Sequence, residues 1–302
     1  MPQSTEPCVA TVLARKGRDE IGAALASALA GLLPGAGTPA WLDPGFVLDI
    51  PFAAAPDDLP GLRAALGARA GDAPLDIVLQ PTADRRKRLL LADMDSTMIH
   101  QECIDELADF AGLKAEVSAI TDRAMRGDLP FEPALRERVA LLRGLPLSSV
   151  DAVLAERITE VPGGAALVRT MKANGAYCAL VSGGFTLFTA AVAARIGFDE
   201  HRSNTLEVAG EALAGTVAEP ILGRAAKRDR LVALRGELGL GRAAVMAVGD
   251  GANDLAMLAE AGLGVAFHAM PAVAAAAHAR IDHGDLEALL FIQGYTRAEF
   301  VA

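Results

Sequence analysis

The chain has 302 residues, 52% of them hydrophobic, which suits about two folded domains and excludes an intrinsically disordered chain. Its net charge of −10 argues against a nucleic-acid-binding or acidic-membrane-binding protein, because both classes need basic surface. Three widely separated cysteines, Cys8, Cys103 and Cys178, favour a reducing compartment over a disulfide framework. No secretory signal and no apolar run of membrane-spanning length is visible. We therefore expect a soluble cytoplasmic protein.

The first eighty residues predict a small α/β domain. The polar and basic stretch Pro81–Lys87 predicts a linker after it, so we place one domain at residues 1–84 and a second at residues 85–302. The predicted elements of the first domain are a strand over Cys8–Leu13, a helix over Glu20–Leu33, extended segments within Ala40–Phe52, a helix over Leu59–Ala70 and a strand over Leu75–Leu79.

From Arg88 onward, short apolar runs end in polar, Gly-rich turns and alternate with helical stretches. This pattern predicts an α/β fold with a parallel sheet that is covered by helices on both faces. The predicted strands are Leu89–Ala92, Tyr177–Val181, Ala244–Val248 and Gly262–Phe267. Between the first two strands, helical periodicity covers Glu102–Ala111, Lys114–Arg126, Pro133–Leu142 and Ser148–Glu156. These helices predict a cap over about residues 98–164, inserted into a core of residues 85–97 and 165–302.

Two acids, Asp93 and Asp95, follow the first buried strand directly. One carboxylate of such a pair can attack a substrate or hold a metal ion while the other moves a proton. The alternative is an ordinary polar turn, because the pattern Asp-x-Asp is common in turns.

The segment Gly249–Asp254 places further acids after another strand. Ligands of parallel sheets bind at the carboxyl ends of the strands, so Asp250 and Asp254 are expected at the same edge as Asp93. Carboxylates that cluster there repel one another unless a cation neutralises them, and a set of oxygen ligands suits Mg²⁺. The alternative is a Gly-Asp-Gly turn followed by a polar helix cap.

A phosphate group has candidate partners in Ser182, Gly183 and Lys227. Ser182 offers a hydroxyl, and the following glycines offer close backbone N–H groups at the start of a helix. Strand-to-helix turns often contain serine and glycine, and most lysines are simply exposed, so each residue alone is weak evidence. These features occur together at the ends of predicted strands, in the chain order that a phosphate site needs. The combination therefore favours a phosphate site.

The four motifs together resemble those of the haloacid dehalogenase-like superfamily. They are Asp93-Met94-Asp95-Ser96-Thr97, Ser182-Gly183-Gly184-Phe185, Lys227 and Gly249-Asp250-Gly251-Ala252-Asn253-Asp254-Leu255. From Leu90 to about Tyr295 the chain is similar to the phosphoserine phosphatases of that superfamily. The detailed likeness lies in the cap, at Thr97-Met98-Ile99-His100-Gln101-Glu102 and Leu135-Arg136-Glu137-Arg138-Val139.

The resemblance implies a Rossmann-like core that hydrolyses O-phosphoserine, the last step of serine biosynthesis, through an aspartyl phosphate. It implies that Asp93 is the nucleophile and that Asp95 is the general acid and base. Mg²⁺ would be held by Asp93, Asp250 and the backbone carbonyl of Asp95, with support from Asp254 and Asn253. The phosphate oxygens would be held by Ser182, the N–H group of Gly183 and Lys227.

Substrate selection is the second implication of the resemblance. Glu102 would pair with the substrate ammonium and Arg138 with its carboxylate, while Phe131 and Met125 would form an apolar wall. Asn253 would also contact the substrate. Without the resemblance, these residues read as ordinary helix-surface charges and cap-core side chains.

The first eighty residues weakly resemble the amino-acid-sensing ACT domains, which implies an amino-acid effector. The alternative is a packing module or one that mediates a homodimer. Two further functions stay open for the whole chain: hydrolysis or transfer of another small phosphate ester, and a non-catalytic regulatory binder. Glu102 and Arg138 argue against the first because a substrate without an amino-acid head would leave both unpaired. The intact nucleophile Asp93 argues against the second.

Overall fold

Alternating apolar residues build an N-terminal antiparallel sheet in the computed structural model, which describes residues 5–15, 20–125 and 128–301. The elements of this domain are β1 (Glu6–Ala14), α1 (Ala23–Ala30), β2 (Ala40–Asp43), β3 (Val47–Ala54), α2 (Leu59–Ala70) and β4 (Leu75–Pro81). The sheet order is β2-β3-β1-β4, and every neighbouring pair is antiparallel.

Both faces of the N-terminal sheet are covered. Ala10 and Val12 pack with α1 and α2 in one apolar cluster, whereas Leu13 and Val78 belong to the core of the second domain. The predicted helix over residues 20–33 is shorter in the structure, where α1 begins after Gly22 and ends before Gly31. The β-α-β-β-α-β order is shared by many small modules, so the ACT-like, effector and homodimer assignments stay predictions.

The second domain contains a six-stranded parallel sheet and a separate two-stranded hairpin, which confirms the predicted α/β class. Its elements up to the hairpin are β5 (Leu89–Ala92), α3 (Cys103–Phe110), α4 (Lys114–Met125), α5 (Phe131–Leu141), α6 (Leu147–Glu156), α7 (Gly164–Ala173), β6 (Tyr177–Phe185), α8 (Thr186–Ile196), β7 (Glu200–Asn204), β8 (Leu206–Ala209) and β9 (Ala212–Val217). The remaining elements are α9 (Arg224–Glu237), β10 (Val245–Gly249), α10 (Leu255–Glu260), β11 (Leu263–Phe267), α11 (Pro271–Ala276), β12 (Ala279–Ile281) and α12 (Ala288–Phe291). The parallel strands lie in the order β12-β11-β10-β5-β6-β7, and β8 and β9 form the hairpin.

Of the described helices, α3 to α7 lie between β5 and β6, and the first four of them, α3 to α6, lie within the predicted cap. The predicted end of the second of them at Arg126 lies outside the described residues. The hairpin joins this layer, since Gly144 and Leu147 donate backbone hydrogen bonds to Leu213 and Glu211. None of the described helices has the length and apolarity that a membrane crossing requires.

The segment between the two sheets is pinned by charged side chains. Arg85 donates to both carboxylate oxygens of Asp49, at 2.6 and 2.8 Å, and to the backbone carbonyls of Phe291 and Ile292. From β4, the carboxylate of Asp76 accepts backbone N–H groups of residues 282–284 at 2.7 to 3.3 Å. Buried groups with this many partners fix one domain against the other.

The Arg85 contacts predict a large loss of stability in Arg85→Ala. The variant leaves the nearly buried carboxylate of Asp49 without its cation, so the free energy of unfolding should fall by roughly 3 kcal/mol. Urea unfolding measures this change. The control is Arg123→Ala, which removes an ion pair with Glu137 that is exposed on both sides and should cost at most about 1 kcal/mol. Equal losses of unfolding free energy in the two variants would contradict the conclusion that Arg85 fixes one domain against the other.

Candidate active site

A cavity of about 620 Å³ opens at the carboxyl edge of the parallel sheet, beneath the cap helices. It brings together most of the residues that the sequence predicts for the site. Those that line it are Asp93, Asp95, Glu102, Phe131, Arg138, Ser182, Gly183, Asp250 and Asn253. A larger cavity of about 750 Å³, between the N-terminal sheet and α12, contains none of the predicted site residues, so we take the smaller one as the candidate site.

A buried lysine joins two of the predicted acids beside this cavity. Lys227 Nζ lies 2.7 Å from Asp93 Oδ1 and 2.7 Å from Asp254 Oδ1, and all three side chains are at most 6% exposed. Burial alone would lower the pKa of Lys227, but the two carboxylates outweigh it and raise that pKa. The ammonium therefore stays charged next to Asp93.

The acids at the sheet edge are close enough to share a cation. One carboxylate oxygen from each of Asp93, Asp250 and Asp254 lies within 4.8 Å of the others. Burial, followed by the negative charge of Asp93, raises the pKa of Asp250 to about 6 and that of Asp254 to about 7. Asp250 also accepts a hydrogen bond of 3.1 Å from the buried hydroxyl of Thr97, a contact that sequence reasoning missed.

Close backbone packing brings these side chains together. Gly249, the last residue of β10, leaves no room for a Cβ, because that atom would overlap the carboxylate of Asp254. The N–H group of Gly251 donates to Asp254 Oδ2 at 3.1 Å, so both oxygens of Asp254 are already paired. Asp254 is thus held beneath the site, whereas Asp250 and Asn253 face the cavity.

The second acid of the pair, Asp95, lies between the core and the cap. Its carboxylate accepts from the backbone N–H of Cys103 at 3.4 Å and from Ser182 Oγ at 3.5 Å. Burial raises its pKa to about 8, with a further contribution from the negative charge of Glu102. Its protonated form is therefore populated near neutral pH, which suits a group that donates a proton.

An asparagine that sequence reasoning missed fixes the end of β6, where the predicted phosphate-binding residues Ser182 and Gly183 lie. The Asn204 amide donates to the carbonyls of Gly183 and Leu222 at 2.8 and 3.2 Å, and its oxygen accepts from the Leu222 N–H at 2.7 Å. This buried side chain ties the end of β6 to the segment that leads into α9 and Lys227. No spacing rule marks Asn204, because it ends a polar edge strand and its contacts are formed only in the fold.

A hydrogen bond from Ser96 holds the side chain of Glu102 at the start of α3. Ser96 adopts a left-handed backbone with φ of 56°, and its hydroxyl donates to Glu102 Oε1 at 2.8 Å. Such backbone strain at a non-glycine residue costs of order 1 kcal/mol and tends to occur at functional sites. Reduced hydration raises the pKa of Glu102, and the Ser96 hydrogen bond acts in the opposite direction.

Arg138 reaches the same cavity from α5. Its Nε donates to the carbonyl of Ala134 at 3.3 Å and its guanidinium donates weakly to Thr121 at 3.5 Å. Burial lowers the pKa of Arg138, while the charges of Asp105 and Glu102 act against that change. The two predicted head-group residues, Glu102 and Arg138, are therefore both present in the cavity wall, with opposite charges.

Of the two residues predicted to form an apolar wall, Phe131 and Met125, the structure describes the side chain of Phe131. Phe131 is 42% exposed at the start of α5 and lies close to Gly183 and Gly223, so it reaches from the cap towards the core loops. Met125 ends α4, and its side chain lies outside the described residues.

Known proteins share both the sequence pattern and the fold. The profile of the haloacid dehalogenase-like hydrolases matches residues 90–259, more than half of the chain. A phosphoserine phosphatase of Streptomyces coelicolor is 42% identical over 259 residues, which are 85% of this chain and 63% of that protein. The match therefore spans less than two thirds of the Streptomyces protein.

Two solved structures extend the comparison. A haloacid dehalogenase family hydrolase of Salmonella enterica serovar Typhi superposes with a TM-score of 0.84 at 30% identity, over 95% of this chain and 98% of that one. A phosphoserine phosphatase solved as a phospho-aspartyl intermediate analogue superposes with a TM-score of 0.63 at 38% identity, over 68% of this chain and 98% of that one. The fold, the acids at the sheet edge and these relatives agree: the chain belongs to the haloacid dehalogenase-like hydrolase family.

Proposed function

We propose that the chain is a Mg²⁺-dependent phosphoserine phosphatase that works through an aspartyl phosphate. The observation that carries this proposal is that one cavity holds the acid pair Asp93 and Asp95 together with the oppositely charged pair Glu102 and Arg138. The first pair suits phosphoryl transfer, and the second suits the ammonium and carboxylate of an amino acid. Relatives named phosphoserine phosphatase support the same substrate. The three cysteines, all buried free thiols, support a cytoplasmic location.

In the first step, the carboxylate of Asp93 attacks phosphorus and the bond from phosphorus to the serine oxygen breaks. The departing oxygen takes the proton of the Asp95 carboxyl, so serine leaves as an alcohol. The charge of Lys227, 2.7 Å from Asp93, is placed to stabilise the negative charge on the transferring phosphoryl group. Ser182 and the N–H group of Gly183 hold the remaining phosphate oxygens.

In the second step, a water molecule attacks phosphorus of the aspartyl phosphate. The ionised Asp95 takes a proton from that water, and the bond from phosphorus to Asp93 breaks. Inorganic phosphate leaves, and both carboxyl groups return to their starting protonation states. One side chain thus acts as an acid and then as a base, which its position between the core and the cap permits.

The donor set fits Mg²⁺. Asp93, Asp250 and the backbone carbonyl of Asp95 would hold the ion through oxygen atoms alone, as this hard cation prefers. Asp254 supports the site without a free oxygen, since Lys227 and the Gly251 N–H occupy both of its oxygens, and Asn253 supports it from the cavity side. When bound, the ion supplies positive charge that offsets the repulsion between these carboxylates and the phosphate.

Phosphate release from four monoesters tests the function: phosphoserine, phosphoethanolamine, phosphoglycolate and 4-nitrophenyl phosphate. With Mg²⁺ we expect kcat/KM to be at least about tenfold higher for phosphoserine than for each other ester, since only phosphoserine pairs both Glu102 and Arg138. A chelator should abolish release. Equal rates on all four esters would favour a phosphatase for another small phosphate, and no release from any would contradict a phosphatase.

Asp93→Asn tests the nucleophile. The amide keeps the shape of the carboxylate and cannot attack phosphorus, so kcat for phosphoserine should fall at least about a thousandfold. The variant should still fold because Lys227 keeps its ion pair with Asp254. Circular dichroism checks that the variant is folded. Asp122→Asn, in the same cavity wall but exposed, is the control and should keep its rate. Turnover near that of the unmodified protein would remove Asp93 from the mechanism.

Arg138→Ala tests the carboxylate contact. Loss of a buried, charged partner should lower kcat/KM at least about 30-fold for phosphoserine and phosphoglycolate. Phosphoethanolamine and 4-nitrophenyl phosphate have no carboxylate near that position and should change little. Arg136→Ala is the control on the same helix, because that side chain pairs with Glu132 and Glu219 at the surface. A similar loss on all four esters would mean that Arg138 supports the cap rather than the substrate.

A further inference from the structure

Of the three acids that could share a metal ion, two are held by one lysine and the third is not. Lys227 Nζ pairs with Asp93 and with Asp254 at 2.7 Å each. Each of these two carboxylates also accepts a backbone N–H group, at 2.7 and 3.1 Å respectively. Asp250 forms no ion pair within the described residues, so the orientation of its carboxylate depends on other contacts.

The hydroxyl of Thr97 supplies such a contact. It donates to Asp250 Oδ1 at 3.1 Å, and no other side chain in the described part of the chain donates to this carboxylate. The side chain of Thr97 is fully buried, so water does not compete for its hydroxyl. A carboxylate that is held at one oxygen keeps one orientation, and its second oxygen remains available to a metal ion.

The backbone after β5 directs Thr97 towards the loop that carries Asp250. The carbonyl of Met94 accepts three successive N–H groups, those of residues 97–99, at 3.3, 2.8 and 3.1 Å, which closes a tight turn. Within this turn, Ser96 has a left-handed backbone with φ of 56° and donates to the cap, whereas the next residue donates to the loop after β10. The turn therefore fixes the side chain of Thr97 against that loop.

We propose that Thr97 is a positioning residue for the metal ion, because its hydroxyl orients Asp250 as a ligand of Mg²⁺. This proposal rests on the proposed function, since it concerns the ion that Asp93 and Asp250 would hold. Hydrogen bonds to the ligands of a metal raise its affinity, and their loss typically weakens binding about 10- to 100-fold. Without the hydroxyl, the carboxylate of Asp250 rotates more freely, and binding of the ion must also restrict that rotation.

Thr97→Val tests this role, because valine keeps the shape of threonine and lacks the hydroxyl. In isothermal titration calorimetry with Mg²⁺ alone, the affinity should fall at least about tenfold. In phosphoserine hydrolysis, the Mg²⁺ concentration for half-maximal rate should rise by a similar factor, while kcat at saturating Mg²⁺ stays within about threefold. Thr189→Val is the matched control, since Thr189 is equally buried but its hydroxyl contacts Ser203 and His201, so the Mg²⁺ affinity should not change.

Two further variants separate the hydroxyl of Thr97 from its methyl group. Thr97→Ser keeps the hydroxyl and should bind Mg²⁺ within about threefold of the unmodified protein. Thr97→Ala lacks both groups and should bind as weakly as Thr97→Val. The alanine variant gives the same comparison if the valine variant does not fold, which circular dichroism checks.

Unchanged Mg²⁺ affinity in Thr97→Val would overturn the proposal. An equal loss of affinity in Thr97→Ser would overturn it as well, because Thr97 would then act through the packing of its methyl group. Mg²⁺ binding that depends on the hydroxyl, in a protein that does not hydrolyse phosphoserine, would support the role of Thr97 and contradict the proposed substrate. An unmodified protein that binds no Mg²⁺ would contradict both the proposed metal site and the role of Thr97.

Discussion

The ammonium of Lys227, buried between two carboxylates, is the interaction on which the geometry of the site depends. It lies 2.7 Å from Asp93 after β5 and 2.7 Å from Asp254 before α10, so a single charge joins three segments of the core. Buried carboxylates lose hydration and repel each other, and they remain ionised together only beside a cation. Removing Lys227 would leave two buried carboxylates without their cation, which costs about 3–5 kcal/mol. The same contact therefore fixes α9 against the sheet and places positive charge beside the nucleophile.

The loops around this centre are held by neutral hydrogen bonds. Asn204, at the end of β7, joins Gly183 near the end of β6 to Leu222, which lies just before α9 begins at Arg224. The end of β6 is thus positioned by the same segment that leads to Lys227. From the cap, Phe131 also lies near Gly183.

The sequence predicts the centre of the fold better than its edges for a physical reason. Strands buried on both faces read as apolar runs, and β5 is found at the predicted residues Leu89–Ala92. The edge strand Glu200–Asn204 is polar and partly exposed, and Ala279–Ile281 has only three residues, so neither gives such a run. The acids of the candidate site can be predicted from the sequence because they are grouped in short motifs. Thr97 and its partner Asp250 are 153 residues apart, and only the fold makes their contact visible.

Hydrogen-bond and ion-pair partners, rather than burial alone, distinguish the acids that hold the fold together from the acids of the candidate site. The carboxylate of Asp76 accepts several backbone N–H groups, and Asp49 is held by Arg85, so folding explains both. In the cavity wall, the carboxylate of Asp95 accepts longer contacts, from the Cys103 N–H at 3.4 Å and from Ser182 Oγ at 3.5 Å. In the proposed function, phosphoryl transfer uses Asp93 and Lys227 of the core, whereas the head group of the substrate would meet Glu102 and Arg138 of the cap.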